Sequence, residues 1–138
     1  MKPGDVVRLS LPAATAYVGV ARSLAAGLAT RLDFDLDHVE DLRLAVSEAC
    51  SLVIPTAVPG TDLNLEVRIG DGEVTLAITS DTSATTTPAD DSFAWTVLSA
   101  LADDASSTLA QGHQVIRLRF VSSAEPMALD GPAGTERS

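Results

Sequence analysis

The chain has 138 residues, 46% of them hydrophobic but only 4% aromatic, so a single domain with a core of Leu, Val, Ile and Ala is expected. A formal net charge of -10, with Lys2 the only lysine, argues against nucleic acid or an anionic membrane as the primary partner and leaves a basic protein surface open. One cysteine excludes an intramolecular disulfide framework and a Cys-cluster zinc site.

Val6, Val7, Leu9 and Leu11 form a β-prone run, which predicts a first strand over Asp5 to Leu11. Pro12 suits the first turn of a helix. Tyr17, Val20, Ala21, Leu24, Leu28 and Leu32 then recur at spacings of three and four, so a helix is predicted from Pro12 to about Leu32. Asp37 with Glu40 three residues later reads as a capping box for a second helix. Val39, Leu42, Ala45, Val46, Ala49, Cys50 and Val53 supply its apolar face, and Pro55 ends it near Ile54.

Beyond Pro59-Gly60 the period changes from helical to alternating. Leu63, Leu65, Val67 and Ile69 alternate with polar residues, Asp71-Gly72 signals a turn, and Val74, Leu76 and Ile78 alternate again. Ser80 to Asp91 reads as a loop, Ser92 to Asp103 as a third helix, residues 105–110 as a short strand, Gln111-Gly112 as a turn, and Val115 to Val121 as a last strand. A domain over residues 1–121 is therefore expected, followed by a disordered tail over 122–138. The order β-α-α-β-β-α-β-β predicts a two-layer α/β sandwich with three helices on a mostly antiparallel sheet. No apolar run of 18 residues and no leader-like start is present, so a cytoplasmic location without membrane contact is expected.

The chain carries no Gly-rich phosphate loop, HExxH, GxSxG or CxxC motif. Glu48 lies on the helical line Leu44, Glu48, Leu52, at the edge of the buried stripe. Partial burial there suits a general base, and an ordinary border glutamate reaching water has the same pattern. Asp81 ends a strand, where a carboxylate can meet a ligand amino group or cap a turn. Cys50 reads as a core residue, and His38 and His113 have no paired metal ligand. Trp95 fits either partner anchoring or core packing. Arg117 and Arg119 fall on one face of the last strand.

These residues resemble a known family. The stretch LPAATAYVGVARSLAAGLATRLDFDLDHVEDLRLAVSEAC is similar to the N-terminal half of RsbW-type anti-sigma factors, and FAWTVLSALADDA and GHQVIRLRF are similar to their later helix and final strand. The pattern resembles the divergent actinobacterial, UsfX-like branch. The resemblance implies the GHKL (Bergerat) ATPase/kinase fold. It also implies a sigma factor of RNA polymerase and a STAS-domain anti-anti-sigma factor as partners, and a homodimer. In active members ATP with magnesium phosphorylates a serine or threonine of the antagonist.

On the same resemblance, Glu48 takes the place of the catalytic base and Asp81 that of the adenine-recognising aspartate. Leu52 stands where the family places its magnesium-holding asparagine, and leucine has no oxygen to offer a hard cation. Ser83 and Thr85 replace the glycines after the aspartate, Ser92-Phe93-Ala94 replaces the glycine pair before the third helix, and the Thr82–Asp91 loop is shorter than the usual lid. The first helix implies a sigma contact at Arg22. The expectation is a sigma-binding module with a degenerate nucleotide site and no required cofactor. An active serine/threonine kinase of the same family is the alternative, and a repurposed domain binding another ligand is a third reading.

Overall fold

The computed structural model describes residues 1–87 and 92–122, so most of the expected tail and the end of the 80–91 loop lie outside the described residues. The strands are β1 (Val6–Pro12), β2 (Asp62–Gly70), β3 (Glu73–Asp81), β4 (Asp104–Ala110) and β5 (His113–Val121), and the helices are α1 (Val18–Arg31), α2 (Leu36–Val53) and α3 (Phe93–Leu101). Short 3-10 turns at Thr15–Tyr17 and Ile54–Thr56 precede α1 and follow α2. The sheet runs β1-β2-β3-β5-β4 with every neighbouring pair antiparallel. This is the two-layer α/β sandwich expected from the sequence.

Alternation decides which side of the sheet is covered. Leu63, Leu65, Val67 and Ile69 of β2, Val74, Leu76 and Ile78 of β3, and Ile116, Leu118 and Phe120 of β5 are all buried against the helices. Ala45, Val46, Ala49, Cys50 and Val53 of α2 close the core from above, with Ala21, Ala25, Ala26 and Ala29 of α1 beside them. Small alanines let α1 approach closely, which explains how a core with so few aromatics is filled. The intervening strand residues face outward.

Several boundaries differ from the sequence reading for local reasons. Pro12 is paired with Asp62 in the sheet and so belongs to β1, and α1 starts only after the 3-10 turn. Asp35, not Asp37, caps α2: its backbone is extended and its carboxylate accepts from the His38 N–H at 2.8 Å. Asp37 sits in the first turn, where its charge complements the helix dipole. β3 continues through Ser80 and Asp81 because both keep partners on β5, at Gln114 and His113. α3 stops at Leu101, since Ala102 is extended and the Asp103 N–H bonds to the Arg119 carbonyl. Both hairpin turns lie where expected. Gly72 has φ +72°, and Gln111-Gly112 has φ +54° and +76°, a left-handed pair suited to a tight two-residue turn.

Candidate functional site

At one end of the sandwich, where α2 runs into Pro55, the chain leaves an open cleft of about 430 Å³. Leu52 and Thr56 wall one side, the loop Ser83–Thr87 the other, and Gln114 of β5 lies on its floor. Ser80, Thr82 and Gln114 are the buried polar side chains among the described residues. Ser80 and Gln114 are register partners, and Thr82 follows directly on β3, so all three gather at this end.

Burying hydroxyls and a carboxamide requires partners, and most are supplied by the 3-10 turn after α2. The Thr56 hydroxyl donates to Gln114 Oε1 at 3.2 Å, and the Thr82 hydroxyl donates to the Thr56 carbonyl at 2.9 Å. The Ser83 N–H donates to the same carbonyl, and the Ala84 N–H donates to Thr82 Oγ1. Ser80 Oγ is buried with no partner among the described residues. The cleft is therefore a hydroxyl-rich pocket, and the start of its loop is bonded to the turn after α2. Gln114 was legible as a signal: it is the one polar residue on the inward phase of Gln114, Ile116, Leu118 and Phe120.

The residues singled out from the sequence do not converge there. Glu48 is half-buried on α2, as its place at the edge of the apolar stripe implies, but it does not line the cleft. Asp81 shares the outward phase of Glu73, Thr75, Ala77 and Thr79, so its carboxylate lies across the sheet from the helices and pairs with His113 at 2.9 Å. Arg22 is half-buried between the helices and donates to Ser47 Oγ of α2 at 2.9 Å. Cys50 is fully buried, and Trp95 packs partly buried against the core. His38 pairs with Asp35 at 2.8 Å, and that hydrogen bond raises its pKa. No group of three or more metal-ligating side chains occurs among the described residues.

A magnesium nucleotide does not fit this lining. Its described side chains are Leu, Thr, Ser, Ala and Gln, with neither a carboxylate for a hard cation nor a cation for a triphosphate. The adenine-site aspartate of the family would have to be Asp81, which the strand's parity turns to the opposite face. At the start of α3, Ser92 Oγ accepts from the Trp95 N–H at 2.8 Å, using a donor that a phosphate would need, and Phe93 projects 84% exposed beside it.

Comparison with known proteins agrees with the fold. The model of the family described as "Histidine kinase-like ATPase domain" matches residues 11–120. The anti-sigma-F factor RsbW of Mycobacterium tuberculosis is 37% identical over 108 residues, covering 78% of this chain and 64% of that protein. The serine-protein kinase RsbW of Bacillus subtilis is 40% identical over 68 residues, covering 49% of this chain and 42% of that protein. The chain thus spans less than two thirds of the length of either relative. A crystal structure of the RsbU and RsbW domains of a Mycobacterium tuberculosis protein superposes with a TM-score of 0.70 at 14% identity, covering 87% of this chain and 33% of that one, a likeness of fold. With a family match over residues 11–120, most of its length, the chain belongs to the histidine kinase-like ATPase domain family, and its relatives include RsbW proteins.

Proposed function

We propose that this protein is an anti-sigma factor that sequesters an alternative sigma factor by surface complementarity. In this reading it acts in the cytoplasm as a homodimer, is countered by a STAS-domain anti-anti-sigma factor, and transfers no phosphate. The observation that carries the reading is that the described residues lining the cleft are all uncharged, because phosphoryl transfer is almost entirely electrostatic placement of metal and phosphate. A fold that has kept its core while the described lining of its cleft carries no charge is best used as a binding surface. Glu48 is then a vestige of a catalytic base, and Asp81 serves the sheet through His113. No described helix is long and apolar enough to cross a membrane, which is compatible with the proposed location.

Arg22 is the proposed sigma contact on α1. Its guanidinium is already held by Ser47, so docking a partner carboxylate on it would freeze little further side-chain freedom. The test is a fluorescence anisotropy titration of each alternative sigma factor of the host with the purified protein. One of them should bind saturably, and Arg22→Ala should weaken that binding at least tenfold. Absence of binding to every alternative sigma factor would contradict the proposal and favour a repurposed domain.

A further inference from the structure

The floor of the cleft holds more hydrogen-bonding capacity than the chain itself uses. Gln114 is 2% exposed and lines the cleft. Its Oε1 accepts from the Thr56 hydroxyl, but its Nε2 carries two N–H donors with no acceptor among the described residues. Ser80, its register partner on β3, is 1% exposed, and its Oγ has no partner among the described residues either. A carboxamide nitrogen and a hydroxyl left unused in a core are less favourable than apolar groups of the same shape. Both stand at the end of the sheet that opens on the cleft.

The loop wall repeats this surplus. The hydroxyls of Ser83, Thr85, Thr86 and Thr87 make no hydrogen bond to a described residue, although the Ser83 and Ala84 N–H groups of the same loop do. Leu52 and Ala84 are the apolar members of the described lining. That lining contains no charge and no aromatic ring, so it offers neither a counter-ion for a phosphate or an amine nor a stacking platform for a planar base. The net charge of -10 repels anions at longer range as well.

We infer that the cleft is a binding site for a small uncharged polyol, in place of the nucleotide that the fold family implies and this lining does not fit. Each hydroxyl of such a ligand both donates and accepts, so a run of them can meet the Gln114 donors on the floor and the serine and threonine hydroxyls of the wall together. The C–H surface of the ligand then lies against Leu52 and Ala84. A cleft of about 430 Å³ is within the size range of small-molecule sites. Arg22, the proposed sigma contact, does not line the cleft, so the inference does not rest on sigma binding.

NMR titration of the full, nitrogen-15-labelled chain with glycerol, D-glucose and myo-inositol tests this. At least one of them should give saturable shifts of the Gln114 side-chain amide and of the Ser83–Thr87 backbone amides, with a dissociation constant in the millimolar range. The phosphorylated counterpart of the one that binds (glycerol 3-phosphate, D-glucose 6-phosphate or myo-inositol 1-phosphate) should bind at least tenfold more weakly. Gln114→Glu keeps an acceptor for Thr56 and removes the two unused donors, and should weaken binding at least tenfold. Leu52→Trp fills the cleft without touching its hydrogen bonds, and should abolish binding. Unchanged amide shifts away from the cleft certify the fold of each variant, and where one fails to fold the other decides. No saturable shift with any of the three polyols, equal or tighter binding of the phosphorylated form, or shifts that survive the folded variants would overturn the inference. None of these outcomes bears on sigma binding.

Discussion

Cys50 is fully enclosed by α1, α2 and the sheet, and burial pushes its thiol up to about 11, against a smaller opposing pull from the Arg22 cation. The thiolate is the reactive species, so a disulfide reagent at pH 7.5 should label the folded protein far more slowly than the protein in guanidinium. Rapid labelling in the native state would contradict this packing. His38 and Asp35 make a second test. The hydrogen bond from Asp35 is the main cause of the raised imidazole pKa, with burial opposing it. Because the folded value lies above the unfolded 6.5, the pair's stabilisation is fully present below pH 6.5 and is lost as pH rises through the folded value. An NMR titration should place His38 above 6.5 in the native protein and return it toward 6.5 in Asp35→Ala. Loss of the α2 cap in that variant should also cost about 1 kcal/mol in a denaturant melt.

Among the elements, the turn after α2 is the piece on which the cleft depends. Gln114→Leu removes the acceptor of the Thr56 hydroxyl in a buried place, and should cost about 1–3 kcal/mol while leaving the far hairpin at Gly72 unchanged in hydrogen exchange. An unaltered melt would show that the network does not hold the turn. The elements themselves were largely legible. Alternation in Leu63–Ile69 and Val74–Ile78 fixed the phase of the hairpin, and the α2 stripe fixed its buried face. The misplaced details have local physical causes. Two aspartates two residues apart offer alternative caps for α2, and the extended backbone at Asp35 decides between them. The resemblance set Asp81 in the adenine position, but period-2 geometry carries β3 on through that residue and turns its carboxylate outward. Arg22 is readable as a helix residue, yet its bond to Ser47 depends on how α1 crosses α2, which no local pattern encodes.

For the molecule as a whole, a nucleotide site needs several parts in place together, and here they are separated by the fold. Leu52→Asn restores one carboxamide at the cleft but leaves Asp81 on the opposite face and Ser92 on the donor at the start of α3. That single change should confer no magnesium-dependent ATP binding by calorimetry, and a measurable gain would show that Leu52 alone disables the cleft. The measurement that tests the central claim most directly is isothermal titration of the protein with the sigma factor it is proposed to sequester, with and without Mg-ATP. Tight binding with the same affinity in both conditions, and no phosphate transferred to the proposed STAS-domain antagonist, is the expected result. Binding that requires or strengthens with Mg-ATP would mean that the cleft works as a nucleotide site, and would contradict the reading of this protein as a module that sequesters without chemistry.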